Sequence, residues 1–212
     1  MKVLVTGSEG FIGRHLVREL ASDEVEVIGF DLKNGHDLLC CELPDVFRVF
    51  HLAAQTDARS TATSRDARDN IMVTIRLCER YGSRIVFAST SMVNYPVVPY
   101  AISKRAAEAY VLAAGGAVVR FCNIYGEGGH SVIEAFGAAD ELSIYGDGEQ
   151  RRTYAPVEGA VDALLQVRPG QTFMLRGDDL SVNQIAARMF PMKPRRYLPA
   201  RANDLLDARQ VA

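Results

Sequence analysis

Tyr100 and Lys104, in the run Tyr100-Ala101-Ile102-Ser103-Lys104, set a phenol and an ammonium four residues apart. On a helix, positions i and i+4 share one face. A free tyrosine titrates near ~10, too high for an efficient base at neutral pH. A nearby ammonium favours the phenolate, so Lys104 is expected to bring Tyr100 down. The same pattern is common on solvated helix faces, and its weight depends on what accompanies it. Ala88-Ser89-Thr90-Ser91 places three hydroxyls at the end of an apolar run. In an open α/β sheet such strand ends are where ligands bind. A hydroxyl there can hydrogen-bond a substrate oxygen that gains or loses a proton.

The second companion is Thr6-Gly7-Ser8-Glu9-Gly10-Phe11-Ile12-Gly13, a G-x-x-G-x-x-G loop. Gly7 permits the tight turn out of a strand, Gly10 lets a pyrophosphate approach the backbone, and Gly13 lets helix and strand pack closely. The helix that opens at Phe11 and Ile12 offers free N–H groups and a positive dipole end to phosphates. Asp31 closes the next strand, 18 positions after Gly13. A carboxylate there accepts from both adenosine ribose hydroxyls and repels a 2′-phosphate, which favours NAD over NADP. Lys33, close by, tempers that preference. Asp37, followed by Leu38, is placed to meet the adenine edge, with a solvated turn as the competing reading.

The elements that must hold these groups alternate regularly. Lys2–Thr6 and Val25–Phe30 read as strands around a helix from Phe11 to Leu20. Val46–Ala53, Arg84–Ala88 and Ala117–Cys122 read as further strands. Residues 70–81, with apolar spacing at Ile71, Ile75 and Cys78, and 100–113 read as helices. The fold class expected is α/β, a Rossmann doubly wound parallel sheet with helices on both faces. Residues 1–122 are expected to form the NAD-binding domain. Residues 123–212 are expected to form a reduced substrate-binding region, partly interleaved with the Rossmann core. After residue 122 glycines mark loops, with short helices expected at 131–139, 159–167 and 181–189 and a strand at 172–175. The tail from Pro191 is expected to wrap the surface.

Composition narrows the function classes. A net charge of −2 over 212 residues points to neither a nucleic-acid nor a membrane surface. Cys40, Cys41, Cys78 and Cys122 fit no zinc spacing and read as reduced structural thiols. Met1 leads directly into a strand, with no signal peptide and no bilayer-length apolar stretch, so a cytoplasmic protein without a metal is expected.

Taken together, the chain resembles the extended short-chain dehydrogenase/reductases, the NAD-dependent epimerase/dehydratase family that acts on nucleotide sugars. The matching pieces run in family order: VTGSEGFIG, FD at the second strand's end, HLAA at 51–54 and the helix around Asn70 and Thr74. FASTSMV, YAISKRAAE, RFCNIYGEG, YGDGEQRRTY and VEGAVDAL follow. The resemblance implies Tyr100 as base, Lys104 as its partner and holder of the nicotinamide ribose, and Thr90 as the hydroxyl. It places Leu52, Ala53, Ala54 and Asn70 at the cofactor. Ser91 joins Thr90 at the substrate, and Asn123 and Arg152 meet the diphosphate, where a guanidinium fork suits phosphate oxygens. It also implies a homodimer built on helices 70–81 and 100–113.

The departures are specific. Between Asp31 and His51 there is little room for the family's extra strand and helix, and the substrate-facing loop between Thr90 and Tyr100 is nearly absent. Asn94–Tyr95, Thr153 and Gly159 stand where the family carries tyrosine–glycine and two aspartates. Ser91 and Met92 replace the acid pair of dehydratases, and neither can protonate a leaving hydroxyl. A nucleotide-sugar epimerase acting at C4 is therefore the leading expectation. A dehydrogenase or reductase needs the same triad and is the alternative; a non-catalytic NAD sensor ranks below both because Tyr100 and Lys104 are present.

Overall fold

In the computed structural model, which describes residues 1–22, 25–56, 63–95 and 98–200, β1 (Lys2–Thr6) buries Val3, Leu4 and Val5 completely or nearly so. A strand covered on both faces needs such a continuous apolar run. In chain order there follow α1 (Phe11–Ser22), β2 (Glu26–Phe30), β3 (Arg48–His51), α2 (Thr63–Asp66), a π-helical turn (Ala67–Met72) and α3 (Val73–Tyr81). Next come β4 (Ile85–Thr90), α4 (Pro99–Ala113), β5 (Ala117–Phe121), β6 (Asn123–Tyr125), α5 (Val132–Ala138), β7 (Leu142–Tyr145) and β8 (Arg151–Pro156). The remainder is α6 (Val157–Gln166), β9 (Thr172–Met174), β10 (Asp178–Ser181), α7 (Val182–Met189) and β11 (Arg195–Leu198).

Two units result, Met1–Phe121 with Glu158–Leu175, and Cys122–Val157 with Arg176 onward. The first carries a six-stranded sheet in the order β2-β1-β3-β4-β5-β9, with all five pairings parallel. The α1 crossover takes the chain from β1 to β2 on one side, and β3 then returns to the other side of β1. That reversal makes the crevice beyond the C-terminal ends of β1 and β3 the topological switch point, where such sheets bind ligands. Between β2 and β3 only a 3-10 turn, Leu32–Asn34, is found, as the short Asp31–His51 spacing implies. The core beneath the sheet joins Leu4, Val49, Phe87 and Val118 to Leu77, Tyr81 and Val111 of the helices.

The second unit has its own core, in which Ile133 and Phe136 pack with Leu142, Ile144, Leu180 and Ile185. A three-stranded sheet, β10-β8-β6, and a parallel pair, β11-β7, frame it. The tail is thus partly structural: residues 195–198 form β11, while residues 201–212, like Pro96, lie outside the described residues.

Three local expectations change. The strand expected over 46–53 covers only Arg48–His51, which leaves Leu52, Ala53 and Ala54 as a loop at its end. β4 runs on to Thr90, so Ser89 and Thr90 belong to the strand itself. The helix expected from residue 70 starts at Thr63, and its buried side is Asn70, Val73, Thr74, Leu77 and Tyr81 rather than Ile71, Ile75 and Cys78. Val73, Leu77 and Tyr81 are apolar or aromatic as well and carry the face that packs on the sheet, while Ile71, Ile75 and Cys78 flank it half-buried.

Candidate active site

The glycine loop is dictated by close approach. Gly7 adopts φ +72°, and a Cβ there would lie 2.7 Å from the Ala53 amide nitrogen. A Cβ on Gly13 would lie 2.0 Å from the Gly7 carbonyl oxygen, which no side chain can tolerate. The first helical bond of α1 runs from the Arg14 amide to the Gly10 carbonyl at 3.0 Å. The amides of Phe11, Ile12 and Gly13 precede it, and in a helix those groups have no intrahelical acceptor.

Asp31 stands at the end of β2, partly buried. Its Oδ2 accepts from the Glu9 amide at 3.1 Å and its Oδ1 from the Lys33 amide at 2.9 Å. An ionised carboxylate has about four acceptor sites, so capacity for ribose hydroxyls is left. The Lys33 ammonium turns to the Glu9 carbonyl oxygen at 3.4 Å. Asp37 closes a turn by accepting from the Leu39 amide at 2.9 Å. Leu38 has its side chain in the core, and Arg76 donates to its carbonyl and to that of Cys41.

At the other end of the crevice, Pro99 begins α4; its fixed φ suits a first helical position. Tyr100 follows it and lies close enough to Thr90, at the end of β4, for the threonine side chain to favour its phenolate. Thr90 Oγ1 also accepts from the Met92 amide at 3.3 Å. Lys104, one helical turn on, is 2% exposed, with its Nζ 3.9 Å above the centre of the Phe87 ring. Burial pushes Tyr100 up to about 12, against the pull of Thr90, and the nearby Asp66 charge pushes the same way as burial. Burial likewise brings Lys104 down to about 7, with Glu108 opposing. The expected lowering of Tyr100 by Lys104 is therefore corrected. The cost of burying a phenolate outweighs any pull from an ammonium that is itself desolvated over an aromatic ring.

Asn70 is held inside the fold. Its Oδ1 accepts from the Gln55 amide at 2.7 Å, while its Nδ2 donates to the Gln55 carbonyl at 3.0 Å and to Ser103 Oγ at 2.8 Å. Ser103 Oγ in turn donates to the Tyr100 carbonyl at 2.8 Å. Asn70 thus ties the loop after Leu52, Ala53 and Ala54 to the helix of Tyr100. Ser91 opens the 3-10 turn after β4.

In the second unit, β6 and β8 lie side by side with Asn123 opposite Tyr154. Asn123 Nδ2 donates to the Thr153 carbonyl at 3.1 Å, and Arg152 Nη1 to that of Arg151 at 2.7 Å.

Two groups escaped sequence reasoning. Asp66, 2% exposed on α2, lies near enough to Tyr100 to raise it, but its surroundings in sequence, TSRDARD, read as a solvated charge run. Glu108, 3% exposed, accepts from Arg120 through both carboxylate oxygens, with contacts of 2.7–3.2 Å. Its i+4 spacing from Lys104 was the available signal. Among the described residues no cluster of three or more His, Cys, Asp or Glu can hold a metal ion, and no helix is long and apolar enough to cross a membrane.

A phosphate loop at the switch point, with a tyrosine and a lysine one turn apart at the other end of the crevice, defines an extended short-chain dehydrogenase/reductase. Residues 3–172 match the NAD dependent epimerase/dehydratase family. The chain is 30% identical to an uncharacterized UDP-glucose epimerase, YtcB, of Bacillus subtilis, over 79% of its own length and 72% of that protein. It is also 30% identical to a UDP-glucose 4-epimerase of Mycolicibacterium smegmatis, over 78% and 72% of the two chains. The structure of MoeE5 in complex with UDP-glucose and NAD superposes with a TM-score of 0.81 at 30% identity, covering 95% of this chain and 86% of that one. The chain belongs to the NAD-dependent epimerase/dehydratase family and is an enzyme of it, with NAD as cofactor.

The residues present fit that cofactor. Gly7 and Gly13 hold the loop tight against residue 53 and the start of α1, the first α1 amides have no intrahelical acceptor and can meet a pyrophosphate, and Asp31 is a carboxylate with acceptor capacity left.

Proposed function

We propose that the enzyme is a nucleotide-sugar epimerase acting at C4. The observation that carries the reading is that Tyr100, at the start of α4, lies beside Thr90 at the C-terminal end of β4, close enough for the threonine to favour its phenolate, with Ser91 and Met92, not an acid pair, after the threonine. NAD, when bound, supplies the acceptor and donor of a hydride. Tyr100 exchanges a proton with the sugar hydroxyl, Thr90 orients that hydroxyl, and Lys104 holds the nicotinamide ribose. Phe11, Ile12 and the three loop glycines hold the pyrophosphate. Asp31 and Asp37 address the adenosine, while Leu38, expected beside them, has its side chain in the core and only holds the Asp37 turn in place, and Leu52, Ala53, Ala54 and Asn70 form the cofactor wall. Ser91, Asn123 and Arg152 are assigned to the substrate, the last two to its diphosphate.

A dehydrogenase or reductase is the second reading, because it needs the same Tyr100, Lys104 and Thr90 and nothing more. Tyr100→Phe tests the base in either case. It should keep NAD binding and lose at least about two orders of magnitude in UDP-glucose turnover, the scale of general acid–base catalysis. Near-normal turnover removes Tyr100 from the mechanism.

A cytoplasmic homodimer on α3 and α4 completes the proposal. Met72, Ile102 and Tyr110 are exposed apolar groups of the π turn and α4. Light scattering that reports a monomer at micromolar concentration removes that part.

A further inference from the structure

His51 ends β3 with 1% of its surface exposed, between two threonines. Thr6 Oγ1 is 2.8 Å from its Nδ1, and Thr74 Oγ1 is 3.0 Å from its Nε2. The surrounding bonds set the direction. The Thr74 hydroxyl donates to the Asn70 carbonyl at 2.6 Å, and a carbonyl can only accept. Thr74 has one proton, so it must accept from His51, which places the imidazole proton on Nε2. At the other end Thr6 Oγ1 accepts from the Ala53 amide at 3.2 Å and keeps its own proton for Nδ1. Every donor and acceptor is thereby used once: Ala53 amide to Thr6, Thr6 to His51, His51 to Thr74, Thr74 to the Asn70 carbonyl.

Burial holds the imidazole neutral, far down at about 3. The charged group facing it is Lys104 of α4, beyond the Phe87 ring that lies 5.4 Å from the imidazole, and it disfavours the imidazolium further.

The endpoints of this chain matter. Thr6 precedes Gly7, the first residue of the phosphate loop. Ala53 touches that loop so closely that Gly7 admits no Cβ. Asn70 clamps Gln55 and Ser103, and Ser103 bonds the Tyr100 backbone. We propose that His51 is a positioning residue: through one directional hydrogen-bond chain it fixes the phosphate loop, the loop at residues 52–55 and the Tyr100–Lys104 helix relative to one another. The two ends of the cofactor crevice are then held at one spacing by a single neutral side chain. The inference rests on the assignment of Tyr100 and Lys104 above.

Two measurements decide it. Nitrogen-15 NMR of histidine-labelled protein, with His51→Gln to assign the signal, should show His51 as a neutral Nε2–H tautomer from about pH 5 to about pH 9. An Nδ1–H tautomer, or titration within that range, overturns the direction of the chain. Thr74→Val breaks the chain at its far end, and Thr74→Ser restores the hydroxyl. Thr74→Val should weaken NAD binding about tenfold by calorimetry, the scale of one lost buried hydrogen bond, with Thr74→Ser close to the parent. At saturating NAD it should also lower kcat on UDP-glucose with KM little changed. A folded Thr74→Val with parental NAD affinity and kcat, and only a lower melting temperature, reduces His51 to a structural role and overturns the proposal. Thr74→Ala serves if Thr74→Val fails to fold, and the NMR reading needs neither. Failure of the base assignment is separable: an active Tyr100→Phe would leave the NAD and NMR results standing.

Discussion

The two ends of the cofactor crevice are built on opposite principles. At the phosphate end the backbone does the work. Gly7 and Gly13 exist because any Cβ would meet main-chain atoms at 2.7 and 2.0 Å, and the ligand-facing groups are amides that never titrate. At the end for which proton transfer is proposed, Tyr100, Lys104, Glu108 and Asp66 are titratable side chains partly or fully withdrawn from water. One end is specified by steric exclusion and should ignore pH. The other is specified by electrostatics and should tolerate changes of shape better than changes of charge.

The steric end breaks most completely. Gly13→Ala puts a methyl where the Gly7 carbonyl stands, so loop and helix must separate. Overpacking of this kind costs typically ~1–3 kcal/mol, and backbone that cannot yield puts the site at or above the upper end. NAD binding should fall below detection in calorimetry. Gly35→Ala is the control: its φ of +87° is strained for alanine, yet nothing lies within 4 Å of the new atom. It should cost only about 1 kcal/mol and leave NAD binding intact. Parental NAD binding in Gly13→Ala would mean that loop and helix yield to the contact and that close approach does not govern the site.

The electrostatic end should reveal itself in pH. Folding brings Lys104 down from 10.5 to about 7, so between those values the unfolded chain binds more protons than the folded one. Stability from this group therefore rises with pH across that window. Below it, the folded protein bears the full cost of a buried ammonium. Lys104→Met removes the charge and keeps the bulk. The variant should be more stable than the parent by a few kcal/mol in urea at pH 6, and the gap should close toward pH 10. Its turnover should fall by about two orders of magnitude or more. A gap that does not depend on pH would show that the Glu108 charge and the Phe87 ring offset the burial of Lys104.

The same division explains what was legible beforehand. The phosphate loop and the Tyr100/Lys104 pair are patterns within a few residues, and Asp31 is set by its place at the end of the next strand of the same β–α–β unit. The alternation of strands and helices announced a doubly wound parallel sheet, and the short spacing between Asp31 and His51 left little room for the family's extra strand and helix. What stayed hidden was non-local. β7 pairs with β11 across about fifty residues, and β10 with β8, through stretches with no strong strand signal. In the helix at 73–81 two apolar stripes compete, Ile75 with Cys78 and Val73 with Leu77 and Tyr81, and spacing alone does not say which one meets the sheet. Whether Tyr100 titrates high or low depends on how deeply α4 packs, and no spacing rule encodes depth.

The smallest expected effect sits where the two principles meet, at Asp31, a charged group in the backbone-built end. Its carboxylate already accepts from the Glu9 and Lys33 amides, so part of its role is to fasten the loop to the end of β2. The rest is discrimination. A carboxylate about 4 Å from a 2′-phosphate is repelled by ~1 kcal/mol in water and up to ~4 kcal/mol at an effective dielectric of 20. Asp31 is partly exposed, so the lower part of that range applies. Asp31→Asn keeps an amide oxygen for one of the two backbone donors and removes the charge. The preference for NAD over NADP should therefore shrink about tenfold, roughly 1.4 kcal/mol, measured by fluorescence titration of both cofactors. Lys33→Ala should move the ratio the other way by a smaller factor, because its ammonium lies 3.4 Å from the Glu9 carbonyl and presents a positive charge to the same place. An Asp31→Asn protein with the parent's ratio would mean that the carboxylate only fastens the loop, and that the cofactor preference is set by the shape of the crevice instead.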